Sequence, residues 1–247
     1  MKWSNVFPVL SALCCLSCGM EDYVYLEPVT SAYSTAVSSA VITTPSNSST
    51  YFRYYTIFYR IYISDLDLSG ISSDAERRNI NPALASHYNT LDPYTTSDNI
   101  SPSAIGTVFN NLRYYPLYGS LDQSGEIPMY QILDNRSAET IRLDFTDTSA
   151  GPFMTTTYSP GSTFFLFRAG GFTQRPDRLF YHSSGSGNLS DDSIISSTVN
   201  TDVERKTNIS ASQRYTYVSM YIAAEGIDSN YTVIYSRPKH IGIFRLP

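Results

Sequence analysis

Thirteen consecutive residues, YFRYYTIFYRIYI from Tyr51 to Ile63, contain neither Gly nor Pro and are dominated by aromatic and β-branched side chains. Such side chains lose rotamer freedom in a helix and pack well on a pleated surface, so the stretch predicts a strand. Alternation puts Tyr51, Tyr55, Ile57, Tyr59, Ile61 and Ile63 on one face, and Phe52, Tyr54, Thr56, Phe58, Arg60, Tyr62 and Ser64 on the other. The first set is the expected core face, despite Arg53 near its start. The run is long for one strand, so a bulge or bend is expected within it. A second alternating run, Tyr215 to Ala224, sets Val218, Met220, Ile222 and Ala224 against Tyr217, Ser219 and Tyr221.

At 247 residues the chain can bury a sizeable core, as one domain with insertions or as two small ones. Charged residues make up only 16%, below the usual quarter, and Ser and Thr take their place. Tyr numbers 21, while the one Trp lies near the amino terminus, a balance that suits sheet. A net charge of −5 argues against a nucleic-acid groove, which needs a basic stripe to displace counterions from phosphates.

Lys2 followed by an apolar run from Trp3 to Leu16, interrupted at Ser4, Asn5 and Pro8, has the form of a short signal h-region. A comfortable membrane-spanning helix needs about 20 apolar residues. All three cysteines, Cys14, Cys15 and Cys18, close this run, so a disulfide framework is excluded for the body that follows. The segment Leu13-Cys14-Cys15-Leu16-Ser17-Cys18-Gly19 resembles a bacterial lipobox, in which a small residue precedes a cysteine that takes up a diacylglycerol. Ser17 and Gly19 fit the flanking positions, whereas Cys15 stands where Leu is usual. That relaxed pattern is similar to spirochaete lipoproteins. The resemblance implies a signal peptide over 1–18, lipidation of Cys18 and attachment to a membrane. The competing reading is apolar filler in a leader cleaved elsewhere. Triplets at Asn47, Asn99, Asn135, Asn188, Asn208 and Asn230 match glycan acceptors of eukaryotic secreted proteins. Ser/Thr richness also creates such triplets by chance, and the leader looks bacterial.

Residues 19–35 read as a tether, ahead of a β domain over 36–247. Val37 to Thr44 predicts a strand, closed by the turn Pro45-Ser46-Asn47-Ser48. Helical signals are confined to about 70–112. Ser73 caps a helical turn at Asp74–Asn79, and Asn81-Pro82 opens a helix to about Asn89. Ser101-Pro102 repeats that signature before Ser103–Leu112. This stretch, extended to about 135, reads as an insertion between strands. Short β runs follow at Arg113–Tyr118, Ile127–Leu133, Thr140–Phe145, Thr163–Arg168, Arg178–Tyr181, Tyr231–Tyr235 and Ile241–Phe244. Many short strands with turn signals between them predict a sandwich or barrel.

A Val/Ile strand ending at Pro45, then Tyr59-Arg60 in a Tyr-rich strand, resembles the early strands of a fibronectin type III domain. Ala223-Ala224 closing an alternating strand, then Ser236-Arg237-Pro238 before a last β run, resembles that family's late strands. The match covers about 30–65 and 213–247. No Trp stands near Thr43 and Thr44, where the family keeps one, and the middle is far longer than its loops. The resemblance implies a mainly β, fibronectin type III/immunoglobulin-like antiparallel sandwich with a partly helical insertion. TIFYRIYISD at 56–65 and YSRPKHIGIFRLP at 235–247 also resemble treponemal lipoproteins. That implies a bacterial cell envelope, lipid-anchored, and transfers no activity and no residue roles.

Residues suited to chemistry are scattered. His87, His182 and His240 lie at no ligand spacing, so no metal or cofactor is expected. Asp65-Leu66-Asp67 and Asp191-Asp192 offer carboxylates for calcium but lack the D-x-D-x-D-G spacing, and solvated loop charge is the competing reading. No G-x-S-x-G elbow is present, although a triad assembled in space stays open. Arg168, Arg175 and Arg178 either meet an anionic ligand or pair with the acidic body. Tyr215, Tyr217 and Tyr221 either form an exposed ladder for an unknown protein or glycan, or stack across strands beneath the insertion. The expected function is a lipid-anchored binding or scaffolding protein without catalysis. The alternatives are a structural subunit of an envelope or fibre assembly, and a sandwich-fold hydrolase acting on polysaccharide.

Overall fold

The computed structural model describes residues 25–68, 70–71, 73–97, 101–121, 127–146, 152–168, 201–206, 209 and 215–246. Within them the chain is mainly β. Strands β1 (Ser31–Ala36) and β2 (Ser39–Thr44) lead into the Tyr-rich β3 (Phe52–Ser64). Helices α1 (Asp74–Arg77), α2 (Pro82–Thr96) and α3 (Pro102–Asn111) follow. Next come β4 (Tyr115–Pro116), β5 (Tyr118–Ser120), β6 (Ile127–Pro128), β7 (Glu139–Asp144), β8 (Phe153–Thr156) and β9 (Phe164–Phe167). The last strands are β10 (Val203–Arg205), β11 (Tyr215–Ile227), β12 (Val233–Tyr235) and β13 (Lys239–Arg245).

One sheet runs in the order β1-β2-β7-β8-β9-β5-β6. The other runs β10-β3-β11-β12, with β13 also pairing with β11 and β4 with β3. Pairing is antiparallel throughout, except that β10 lies parallel to β3 from Val203↔Ile61 to Arg205↔Ile63. The register of β3 on β11 matches Ile57 with Ile222, Tyr59 with Met220 and Ile61 with Val218. Their apolar side chains therefore share one face. They meet Ile42, Ile141, Leu143, Met154 and Leu166 of the other sheet in a single core. Burying each such aliphatic side chain contributes about 1.5–3 kcal/mol.

The bulge expected in β3 falls at Arg53. Pairing skips from Tyr54↔Glu225 to Phe52↔Gly226, which leaves Arg53 exposed and outside the ladder. The skip inverts the alternation, so Phe52 joins Tyr55 in the core instead of taking the outer face. Gly226 permits it, because a Cβ there would stand 2.5 Å from the Tyr51 carbonyl oxygen.

Two boundaries differ from expectation. Leu26 and Val29 are buried in the main core, and β1 pairs with β2, so the body takes in residues expected as tether over 19–35. Leu117, Met129, Ile132 and Leu133 also belong to the main core, so the carboxyl-terminal part of the 70–135 insertion is integral to it. Helices α1 to α3 instead form a layer on the outer face of β3, β11 and β13. There Leu84 and Ile80 pack with Tyr62, Tyr217 and Ile243, while Leu91, Ile105 and Phe109 pack with Phe58 and Tyr221. Asn81 caps α2 by accepting a hydrogen bond from the Ala83 N–H at 2.9 Å. Ser73 and Ser101 make no such bond. Helix α2 runs past Asn89 and through Pro93 to Thr96, because Leu91 holds the later turns against the sheet. The run expected at Arg178–Tyr181 lies outside the described residues.

Candidate functional site

Register alone brings Tyr54, Glu225 and Tyr235 into one row. Glu225 of β11 faces Tyr54 of β3 on one side and Tyr235 of β12 on the other. Side chains opposite one another on a sheet lie about 4.5–5.5 Å apart at Cβ, within hydroxyl–carboxylate reach. The Tyr54 hydroxyl donates to Glu225 Oε1 at 2.5 Å, and Thr56 Oγ1 donates to Oε2. Tyr235 flanks Glu225 on the other side of the row, and burial followed by the charge of Glu225 holds its phenol well above the usual range. Glu225 has no ion pair among the described residues.

Aromatic walls surround this carboxylate. Helix α3 and the β4–β5 turn cover the row and leave a cleft of about 410 Å³. Phe58 lines it, stacked on Phe109 at 4.3 Å between centroids, with the Tyr235 ring at its edge. Tyr114, Tyr115, Tyr118 and Met129 line the remainder, while Asn110 and Pro116 are exposed at the cleft. Gly106 of α3 makes room for Tyr235, since a Cβ at that position would lie 2.8 Å from Tyr235 Cε2.

Behind the cleft runs a buried polar chain. The Tyr114 hydroxyl donates to Ser219 Oγ at 3.2 Å and lies 3.1 Å from the Tyr62 hydroxyl, which meets His87 Nδ1 at 2.7 Å. Burial, then the charge of Arg60, lowers the His87 pKa to about 4, so its ring is neutral near pH 7. The Arg60 guanidinium is itself occupied by the Leu112 carbonyl and Glu204. His240 lies 3.6 Å from Asp74 and packs its ring 4.7 Å from that of Tyr221. Among the described residues no Ser or Cys is hydrogen-bonded to either imidazole; two tyrosines separate His87 from Ser219.

The tyrosines singled out from the sequence are placed differently from the exposed ladder. Tyr217 and Tyr221 are fully buried beneath the helices, and Tyr215 is half-buried with Arg245 over its ring. The Tyr221 ring stands edge-on to Phe109 and Tyr114 under the helical layer, because α1 to α3 cover the face that alternation left looking open. Arg168 does not await an anion. It makes a buried two-pronged pair with Asp202, at 2.8 and 2.5 Å, and Tyr59 donates to the same carboxylate. Asp65 pairs with Lys206 and Asp67 with Arg245, so the two do not converge on a cation. No group of three or more metal-ligating side chains occurs among the described residues. Asn47 is buried, which removes it as a glycan acceptor in the folded body. Cys18, His182, Arg175, Arg178, Asp191 and Asp192 lie outside the described residues.

Sequence reasoning passed over Glu225 and its hydroxyl donors. One signal was present, since Glu225 is the only charged residue in β11. Its partners at 54, 56 and 235 are far away in sequence and meet it only through the register of three strands. No family model matches the chain, and no curated protein or solved structure matches it.

Proposed function

We propose that this chain is a lipid-anchored binding protein of the bacterial cell envelope that recognises its ligand in the Glu225 cleft without covalent chemistry. The observation that carries the reading is the cleft itself: aromatic walls around one carboxylate whose oxygens are oriented by Tyr54 and Thr56. Largely apolar cavities with a few convergent polar groups are the usual form of ligand sites. The hydroxyls here are committed as donors to a carboxylate, an arrangement for holding a group in place. Anchoring rests on Cys18, which follows an apolar leader and has no later cysteine to compete with it.

The framework supports a fibronectin type III/immunoglobulin-like reading. The pairings β1–β2–β7 and β3–β11–β12 correspond to the A-B-E and C-F-G ladders of such sandwiches. Arg237-Pro238 splits the last ladder into β12 and β13, both on β11, where the family's Ser-x-Pro falls. The β8-β9-β5-β6 extension of the first sheet, the parallel β10 and the helical layer depart from that plan.

Two measurements test the proposal. Labelling with an alkyne fatty acid in a bacterial host is expected to mark the wild-type chain and not Cys18→Ala. A ligand screen by thermal shift on the full chain is expected to yield compounds whose affinity falls in Tyr118→Ser, a half-buried cleft residue. Ligands unaffected by that change, or turnover of a substrate lost on replacing His87 or Glu225, overturn the binding reading.

A further inference from the structure

We propose that the cleft selects an organic ammonium group, of the quaternary or alkylated kind, with Glu225 as its counter-ion. The inference rests on the binding reading and adds the chemistry of the ligand. Glu225 is half-buried, and its negative charge has no cationic partner among the described residues. Tyr54 and Thr56 each take one acceptor site on a separate oxygen, and a carboxylate has about four. Acceptor capacity therefore remains toward the cleft.

The choice among cations follows from the walls. Calcium or magnesium takes six or more oxygen ligands, and the described residues gather no such set here. Phe58, Phe109, Tyr114, Tyr115, Tyr118 and Tyr235 instead present aromatic carbon. Ring faces attract a cation electrostatically, and most strongly one that sheds water easily, as alkylated ammonium does. Anions are excluded by Glu225 itself, since the nearby Arg60 is occupied by Leu112 and Glu204. A volume of about 410 Å³ accommodates such a group with a short substituent.

The test compares choline with 3,3-dimethylbutanol, its uncharged isostere, by NMR titration and calorimetry on the full chain. Choline is expected to bind saturably at millimolar concentrations or below, and the isostere about tenfold more weakly. In Glu225→Gln, choline is expected to fall to the level of the isostere, whose own binding stays unchanged. The wild-type comparison needs no variant, so a misfolded Glu225→Gln does not blunt it. Equal binding of the two compounds, or choline binding insensitive to Glu225→Gln in a folded variant, overturns the ammonium proposal. If neutral ligands still lose affinity in Tyr118→Ser, the cleft reading survives that failure; if nothing binds the cleft, both fall. Sedimentation with phosphatidylcholine against phosphatidylglycerol vesicles identifies the source. Choline-dependent sedimentation assigns the group to a lipid headgroup, and retention of free choline alone assigns it to a solute; either result supports the proposal.

Discussion

The inner and outer faces of the β3–β11 pair are built from the same two strands but held by different forces. Inward, Ile57, Ile61, Val218, Met220 and Ile222 close-pack against the other sheet. Outward, Phe58, Arg60, Tyr62, Tyr217, Ser219 and Tyr221 lie beneath helices, tied by hydroxyl, imidazole and guanidinium contacts. Apolar packing tolerates small shifts and depends on volume. A hydroxyl network depends on each donor having its acceptor, and a missing partner leaves a buried polar group unsatisfied. The inner face is thus a source of stability, and the outer face is where polar groups are held in position for the cleft.

The largest expected break comes from the inner side's polar exception. Asp202→Ala leaves Arg168 buried without its countercharge and should destabilise the chain by about 3–5 kcal/mol, read from urea denaturation. A smaller loss, about 2–4 kcal/mol, is expected for Ile61→Ala, because the core closes only partly over the missing atoms. On the outer face Tyr62→Phe should cost about 1–3 kcal/mol, by removing the partner of both His87 Nδ1 and the Tyr114 hydroxyl. An outer-face loss larger than that of Ile61→Ala would erase the distinction between the faces.

The pH dependence sharpens the comparison, since each region carries a group displaced into the range between about pH 4 and 7. Burial raises Glu139 from 4.5 to about 7, so the folded chain keeps a proton that the unfolded chain releases across that window. Its contribution is complete below pH 4.5 and lost as pH rises toward 7. His87 is lowered from 6.5 to about 4, so the unfolded chain takes up a proton first, and stability is lost as pH falls through that range. The two slopes oppose one another between about pH 4.5 and 6.5. Glu139→Gln should uncover the His87 slope and raise stability near pH 8 by an amount on the order of 2 kcal/mol. Chemical denaturation at stepped pH measures both, and a curve unaltered by Glu139→Gln counts against the assignment.

Gly106→Ala gives the smallest effect on stability. Its gain in helix propensity is about 1 kcal/mol and is offset by displacing the Tyr235 ring. Net stability should change by less than about 1 kcal/mol, while the Tyr235 ring resonances and the affinity of cleft ligands shift.

Much of the inner face could be read before any coordinates. Val218, Met220 and Ile222 alternate with Tyr217, Ser219 and Tyr221, and period two leaves little choice of which set is buried. Asn81-Pro82 and Ser101-Pro102 located two helix starts, since a Pro at the first helical turn sacrifices no internal hydrogen bond. The outer face resisted because Tyr suits both water and a core, so alternation could not reveal that helices cover it. Phe52 was misplaced for a local reason, as one residue skipped at Arg53 turns it from the outer face to the core. The cleft was hidden because it is a product of register: Tyr54, Glu225 and Tyr235 are neighbours only when three strands are aligned.

The pairing of β3 has a consequence for how the chain is made. Its partner β11 begins at Tyr215 and its parallel partner β10 at Val203, whereas β3 itself ends at Ser64. A ribosome adding 5–20 residues per second takes roughly 7–30 s to cover that gap. For that interval the nascent chain carries a long aromatic strand lacking both of these partners, the kind of segment that joins to copies of itself. Arg53 and Arg60 are the two charges within it. Arg53, looped out at the bulge, makes no ladder contact with β11 in the finished fold. On an open strand such a charge discourages strand-to-strand association.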